Sequence, residues 1–286
     1  IAWLLPLASF CVILFFGSRL GAAGRGAAYV ATGAIVGGFV LSLVALLTWI
    51  GSHGVSGGHH PDAAETQHAT TAQQGVHHFV AAAEEETHSH GDAHSHGHAS
   101  GPKEAYFGEW YTLVDFGYYI DALTILMFTM VTLIASCIHF YAMGYMHEEL
   151  HDVTDHEVTL SNGEHLHRKG RYYRFFQYLS LFCFSMLGIV IAGNIAMTFV
   201  FWELVGICSY FLIGFYIERK SASTAANKAF IVNRVGDFGM IIGLMALWGS
   251  LGTFSFGGEK NAEGEIIKPG MFAQARAASD DFQLKT

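Results

Sequence analysis

Long uninterrupted runs of apolar residues dominate the first 252 residues of the chain, and polar stretches separate them. About 20 consecutive apolar residues suffice to cross the hydrocarbon core of a bilayer as an α-helix. The pattern therefore predicts an all-α integral membrane protein with about six transmembrane helices. Their predicted bounds are 1–17, 27–50, 118–145, 175–192, 195–217 and 226–251.

The ends of these runs indicate where the chain turns. The apolar stretch from residue 175 to 217 is too long for one crossing, so Gly193 and Asn194 are expected to form a tight turn inside it. The first run is short and lacks the positively charged segment that precedes a signal peptide, so it is interpreted as a cropped helix. Residues 253–286 are polar and Gly-rich, and we expect an outer loop of a truncated chain.

The positive charges predict an orientation in the membrane. Cytoplasmic loops of membrane proteins carry an excess of Lys and Arg. The loops after the first, third and fifth predicted helices hold most of them: Arg19, Arg25, Arg168, Lys169, Arg171, Arg174, Arg219 and Lys220. The long loop 51–117 holds only Lys103. We therefore expect the N-terminus and loop 51–117 outside, although Lys260, Lys268, Arg276 and Lys285 in the tail weaken the asymmetry.

Composition supports the membrane assignment and excludes other classes. The chain is 52% hydrophobic and 14% charged, whereas soluble domains carry about 25% charged residues. A formal net charge of −9 without a basic stripe excludes nucleic acid as a partner. The cysteines lie singly inside apolar runs, which is typical of small buried residues and not of a metal or disulfide framework.

Loop 51–117 is rich in histidine, and its composition is that of a disordered, solvated insertion. Its densest tract contains His88, His90, His94, His96 and His98, which together could hold Zn²⁺ or Ni²⁺ weakly. We expect the disordered form here, and we expect no metal, cofactor or redox site in this chain. The second histidine-bearing loop, 146–174, is expected to be solvated in the same way.

Charged residues inside the apolar runs are the strongest functional signal. Glu203 lies near the centre of the run 195–217, where an ionised carboxylate costs about 2.5–3.5 kcal/mol on insertion scales. Such an acid is a functional site by default, so Glu203 is predicted to accept a proton. A structural ion pair is the alternative interpretation.

The sixth predicted helix carries three further ionisable residues. Arg234 and Asp237 are spaced i, i+3, so they share one helical face and can pair. A structural pair and a part of a proton path remain open for them. Lys228 is predicted to load protons near the cytoplasmic mouth, with snorkelling to the interface as its alternative role.

Two polar residues on the third predicted helix are expected to be structural. Asp121 stands where a helix would begin, and an acid there can cap it. His139 is expected to be a hydrogen-bonded packing residue.

Two motifs carry a family resemblance. The segment FWELVGICSY, at 201–210, and the segment KAFIVNRVGD, at 228–237, together closely resemble subunit L of bacterial NADH-quinone oxidoreductase (respiratory complex I), the counterpart of mitochondrial subunit 5. The resemblance covers most of residues 106–256. It implies a proton-translocating, antiporter-like subunit built as the N-terminal part of an inverted-repeat bundle.

The resemblance also implies roles and partners. The family's glutamate matching Glu203 is central to proton transfer and pairs with a lysine on a seventh helix, and the positions matching Lys228, Arg234 and Asp237 lie in or near the path. Other complex I membrane subunits, above all a neighbouring antiporter-like subunit, become the expected partners in a bacterial inner membrane. The enzymatic activity would be that of the complex, with its redox chemistry elsewhere.

The chain departs from the family in three ways. Leu204 stands where many relatives have glycine, loop 51–117 is longer than usual, and the seventh helix is not in the sequence. We therefore expect an incomplete proton path in this chain. A subunit of a multisubunit cation/proton antiporter or of a membrane-bound hydrogenase is the alternative, and a metal-ion carrier would need intramembrane ligands that His139 and Asp121 do not provide.

Overall fold

The computed structural model describes residues 1–21, 24–53, 118–256, 259–260 and 266–274. Six α-helices make up most of this part of the chain. They are α1 (Leu4–Phe16), α2 (Arg25–His53), α3 (Ala122–Tyr145), α4 (Tyr172–Ile191), α5 (Ile195–Ile213) and α6 (Lys220–Leu251). The histidine-rich tract and most of loop 51–117 lie outside the described residues, and so does the end of the tail.

The six predicted helices are confirmed, with corrected bounds. Helices α2 to α6 are long and apolar enough to cross a membrane, whereas α1 has only 13 residues. Helix α6 begins at Lys220, six residues before the predicted start, because the small residues of 221–226 are compatible with a helix although they are not strongly apolar. Helix α2 continues to His53, three residues into the stretch that was predicted to be a loop.

The expectation for loop 146–174 was wrong, because this loop is folded. A 3₁₀ helix (His147–Leu150) leads into an antiparallel hairpin of β1 (Val153–Thr159) and β2 (His165–Arg168), with Val153 opposite Arg168. Composition missed it because its stability comes from ion pairs with distant residues. A second small ladder joins β3 (Glu259–Lys260) to β4 (Ile266–Lys268).

Helix α4 is the centre of the bundle and packs against α1, α3 and α5. Its fully buried Phe176 and Leu187 lie in two apolar clusters that include residues of α2 and α3. Near the α4–α5 turn, Trp3 stacks on Phe184 with ring centroids 5.0 Å apart. Between α2 and α3, Ser42 and Thr132 form a hydrogen bond of 3.1 Å, the kind of polar contact that joins helices in lipid.

The turn between α4 and α5 and the segment after α6 lie at the same end of the bundle. Asn194 ends the α4–α5 turn and caps α5, since its side chain accepts a hydrogen bond of 2.6 Å from the Met197 N–H. Gly252 ends α6 with φ of 62°, a left-handed conformation that glycine adopts without strain. Bridges from Tyr118 to Ala192 and from Asn194 to Ser255 then place these segments at one end of the bundle, opposite the hairpin.

Candidate functional site

The candidate site lies between α5 and α6, which pack against each other. A 3₁₀ turn (Gly214–Tyr216) reverses the chain between them, so the middle of α5 faces the middle of α6. This arrangement brings Glu203 of α5 beside Arg234 and Asp237 of α6. Glu203 and the predicted Arg234–Asp237 pair, which sequence reasoning selected on two different helices, therefore form one cluster.

Arg234 is the centre of that cluster. Its Nη1 forms an ion pair with Glu203 Oε2, and the same atom lies 3.7 Å from Asp237 Oδ2. The predicted i, i+3 pair therefore exists, but the interhelical pair with Glu203 is the shorter one. One guanidinium thus serves two carboxylates from two helices.

Two aromatic residues that sequence reasoning missed complete the contacts. Trp202 Nε1 donates a hydrogen bond of 3.3 Å to Asp237 Oδ1, and the guanidinium carbon of Arg234 lies 4.8 Å from the centre of the Phe230 ring. Phe230 stands four residues before Arg234, so helical spacing could have identified it. The Trp202 contact crosses between helices and leaves no comparable signal in the sequence.

The cluster lines a cavity of about 210 Å³ between the two helices. Gly206, Ser209 and Asn233 line it as well. A Cβ atom on Gly206 would lie 3.9 Å from Asn233 Nδ2, an ordinary van der Waals contact. The side chain of Asp237 is 8% exposed, that of Glu203 is 18% exposed and that of Arg234 is 38% exposed. The cavity gives the acids contact with a polar space large enough for several water molecules.

The charges of the cluster do not balance. Two ionised carboxylates and one guanidinium sum to −1, and an uncompensated charge within a membrane span is costly. The arrangement therefore favours one additional positive charge, which a proton on a carboxylate or a further cation can supply. A site of this kind can take up and release a proton while its packing stays the same.

Lys228 is outside this cluster. It is exposed, and among the described residues it forms no ion pair. It precedes Arg234 by six residues, which turns its side chain about 120° away around the helix. Its predicted part in a proton path is untested.

The two residues predicted to be structural on α3 are both placed by hydrogen bonds. Asp121 caps α3, because its Oδ1 accepts a hydrogen bond of 2.7 Å from the Thr124 N–H, which lowers the pKa of this carboxyl. His139 is 1% exposed, and its Nδ1 lies 2.8 Å from the carbonyl oxygen of Ala135. It packs within the helix bundle as predicted, but its second ring nitrogen has no partner.

The loops at the hairpin end are joined by buried ion pairs. Glu149, 3% exposed, accepts two hydrogen bonds from Arg168, at 2.6 and 2.8 Å, and one of 3.0 Å from the Arg171 N–H. Burial raises the pKa of Glu149, but these bonds and the adjacent positive charges outweigh it and lower the pKa below its usual range. The hairpin is thereby fixed to the start of α4.

A second set of ion pairs joins the hairpin to the α5–α6 turn. Arg219 Nε donates a hydrogen bond of 2.8 Å to Asp155 Oδ2, and this bond lowers the pKa of Asp155. Arg171 donates one of 2.8 Å to Glu218. The loops after α3 and α5 therefore meet at one end of the bundle, as the charge pattern predicted.

Within the described ranges, no group of three or more His, Cys, Asp and Glu residues is placed to hold a metal ion. The tract from His88 to His98 lies outside those ranges, so the expectation of no metal there and the alternative of weak metal binding both stay untested.

Two family models match the chain. Residues 192–275 match the transmembrane family described as NADH:quinone oxidoreductase/Mrp antiporter, and this segment contains the whole cluster. Residues 111–152 match the family described as NADH-ubiquinone oxidoreductase (complex I), chain 5 N-terminus. The resemblance drawn from the motifs is therefore confirmed at the level of complex I antiporter-like subunits.

Similar proteins carry related names. NAD(P)H-quinone oxidoreductase chain 5 of Synechocystis sp. is 43% identical over 188 residues, which cover 64% of this chain and 24% of that protein. The chloroplastic NAD(P)H-quinone oxidoreductase subunit 5 of Chaetosphaeridium globosum is 43% identical over 143 residues, 50% of this chain and 18% of its own length. That of Anthoceros angustus is 44% identical over 144 residues, 50% of this chain and 17% of its own length. The chain thus spans about a quarter or less of each relative's length.

Proposed function

We propose that this chain is part of a subunit L (chain 5) type protein that translocates protons in a complex of the NADH:quinone oxidoreductase kind. The observation that carries the proposal is the cluster of Glu203, Arg234 and Asp237, whose two acids share one guanidinium inside a membrane span. It lies in the segment that matches the oxidoreductase and antiporter family. The complex would couple quinone reduction to proton transfer, and partner subunits would carry the redox chemistry.

Each residue of the cluster has a distinct part in this proposal. Glu203 accepts the transferred proton, because it borders the cavity and its side chain is more exposed than that of Asp237. Arg234 holds the deprotonated state by its positive charge, and Asp237 competes with Glu203 for that charge. Lys228, exposed at the start of α6, delivers protons from the cytoplasmic end. No cofactor bound to this chain is needed for these steps.

The surface of α6 supports a protein partner beside the lipid bilayer. Of the 32 residues of this helix, only Ala226 and Asp237 are buried. Its outer face presents large apolar side chains, among them Val235, Phe238 and Met245, each at least 70% exposed. We place a neighbouring antiporter-like subunit or further helices of the same protein there. A bacterial plasma membrane is the proposed location, although the similar proteins include chloroplastic ones.

The decisive experiment replaces Glu203 by glutamine in the full-length protein within its native complex. The amide keeps the shape and hydrogen bonds but cannot carry the proton. We expect the ratio of protons pumped to electrons transferred in membrane vesicles to fall sharply, with assembly preserved. Glu157→Gln, which changes a carboxylate on the exposed hairpin, is the matched control. A normal ratio in the Glu203 variant would contradict the proposal.

A cation/proton antiporter is the second candidate, because the matching family model also carries the name Mrp antiporter. The same vesicles distinguish the two. Proton uptake driven by NADH or NADPH oxidation supports the oxidoreductase complex. Proton movement that requires a sodium gradient and no electron donor supports the antiporter.

A further inference from the structure

Among the buried polar side chains of α1, α2, α3 and α4, one from each helix lies at nearly the same depth in the bundle. They are Ser9 of α1, Thr32 of α2, His139 of α3 and Ser180 of α4, and each is at most 5% exposed. Three of them have a buried polar atom without a hydrogen-bond partner: Thr32 Oγ1, His139 Nε2 and Ser180 Oγ. Buried polar groups in membrane spans normally have hydrogen-bond partners, so these three atoms require an explanation.

Helix packing places the four residues at nearly the same depth. Helices α1 and α2 run antiparallel, and a Cβ atom on Gly38 would lie 3.5 Å from the Ala2 carbonyl oxygen. Ser9 follows Ala2 by seven residues and Thr32 precedes Gly38 by six. At a rise of about 1.5 Å per residue, the two positions therefore differ in depth by less than about one turn.

The same geometry relates α1 to α4. A Cβ atom on Gly17 would lie 2.7 Å from Cδ2 of Tyr173, so these residues mark one level of the antiparallel pair. Ser9 precedes Gly17 by eight residues, and Ser180 follows Tyr173 by seven. Ser9 and Ser180 are therefore also at one depth.

His139 reaches this level from α3. Its ring centroid lies 6.3 Å from that of Phe176, one turn before Ser180. Its ring leans back along α3 toward Ala135, as the hydrogen bond of 2.8 Å requires. Since α3 and α4 are antiparallel, that direction leads toward Ser180.

The hydrogen bond fixes which nitrogen of His139 is free to accept. A carbonyl oxygen can only accept, so Nδ1 must carry the hydrogen that it donates to Ala135. In the neutral ring, Nε2 is then a bare acceptor directed into the bundle. The Ser9 hydroxyl donates to Pro6 at 2.8 Å and keeps its own acceptor capacity. Thr32 and Ser180 can each donate one hydrogen.

We propose that these four side chains bind internal water between α1, α2, α3 and α4, with His139 Nε2 as its acceptor. A water molecule donates twice and accepts twice, which suits one imidazole nitrogen, the Ser9 oxygen and two hydroxyl donors. Such buried waters typically make about three hydrogen bonds. The site gives the bundle a second hydrated titratable group, separate from the cluster between α5 and α6, and it does not depend on the proposed function.

A structure of the full-length protein in its native complex, at a resolution that shows ordered water, tests this directly. We expect a water peak within hydrogen-bond distance of His139 Nε2 and of at least one hydroxyl of Thr32 or Ser180. Direct contact between His139 Nε2 and a hydroxyl without intervening water would overturn the proposal. It would also be overturned if both hydroxyls donate to carbonyl groups of their own helices, the usual arrangement for Ser and Thr in helices.

Thermal stability of the same complex gives an independent test. Thr32→Val and Ser180→Ala should each lower the melting temperature, and the double variant should lose less than the sum because both remove partners of one water. If the hydroxyls are unsatisfied, their removal should instead leave stability unchanged or raise it. Additive losses would indicate separate sites and overturn the proposal. Ser185→Ala is the matched control, since this buried hydroxyl already donates to Leu181 at 2.7 Å.

Discussion

At the scale of single residues, the proposed function gives the cluster of Glu203, Arg234 and Asp237 two roles that are usually discussed as alternatives. The ion pairs join α5 to α6, so they are structural. The excess carboxylate leaves room for one proton, so the same atoms can take part in transfer. Under the proposed function, the structural ion pair and the functional acid therefore depend on each other.

The shared guanidinium predicts that the Arg234 and Glu203 single variants differ in the yield of assembled complex. Arg234→Gln removes the guanidinium that two carboxylates share within a membrane span, and breaking even a fully buried ion pair from one side costs at most about 3–5 kcal/mol. Its complex should assemble in clearly lower yield, whereas Glu203→Gln leaves Arg234 paired with Asp237 and should assemble nearly normally. The yield of intact complex in native gels measures both.

The double variant tests whether an unpaired carboxylate causes the lower yield of Arg234→Gln. Arg234→Gln combined with Glu203→Gln removes the orphaned carboxylate at the shorter contact, so its yield should exceed that of Arg234→Gln alone. Equal yields for the two would show that charge compensation does not hold α5 and α6 together, and the cluster would then have a functional role only.

Sequence reasoning could select these residues because charges are rare in apolar runs. Glu203, Arg234, Asp237 and the cap at Asp121 all follow from local pattern. The Trp202 contact and the free Nε2 of His139 depend on how helices face each other, which no local pattern encodes. Lys228 was selected from its place on the same helix, and helical rotation turns it away from Arg234, so its predicted part in the path is still untested.

At the scale of elements, the hairpin of β1 and β2 shows where composition misleads. Its polar, histidine-bearing sequence has the composition of a solvated loop. Its order comes from Glu149 and Asp155, two buried acids that accept from Arg168 and Arg219. Pairings between residues so far apart in the chain cannot be read from composition.

The hairpin should loosen in acid. The pKa values of Glu149 and Asp155 are lowered in the folded state, so their stabilisation is complete above the unfolded pKa. It is lost as the pH falls, from about pH 5 downward. Amide hydrogen exchange in Val153–Thr159 should therefore accelerate in this range relative to that of α4. Glu149→Gln should produce the effect at neutral pH, while the exposed neighbour Glu148→Gln should not. Unchanged exchange in the Glu149 variant would contradict this account.

Helices α4 and α5 depend on a close approach at one glycine. A Cβ atom on Gly188 would collide with the ring of Phe201, which is itself buried. Gly188→Ala should therefore destabilise the protein by about 1–3 kcal/mol, the usual cost of overpacking. Gly33→Ala is the control, because a Cβ there meets nothing within 4 Å. Thermal unfolding of the two variants would compare them, and equal stability would show that Phe201 adjusts without cost.

At the scale of the whole molecule, the contacts divide the loops into two ends. The hairpin and the α5–α6 turn meet through Arg219 and Asp155, and Gly17, just after α1, packs against Tyr173 at the start of α4. The opposite end holds Tyr118, the α4–α5 turn and the segment after α6. The alternation of crossings that the apolar runs predicted is therefore present, while the side of the membrane that each end faces stays a prediction.

Cysteine labelling of the full-length protein would test which side of the membrane each end of the bundle faces. The end with the hairpin carries eight Lys and Arg residues in its connecting loops and in the first turns of the helices that follow them, and such loops remain in the cytoplasm. Asn162→Cys, in the exposed hairpin turn, should react with a membrane-impermeant maleimide only when the cytoplasmic face is accessible. Tyr118→Cys, where the native side chain is 74% exposed at the other end, should react only from the opposite face. The unsubstituted protein is the control, since its described cysteines lie within helices.

Labelling of both positions from one face would contradict the fold, and labelling with the faces exchanged would contradict the orientation alone. In the predicted orientation, α6 begins on the cytoplasmic side, so Lys228 stands between that side and the cavity beside Glu203.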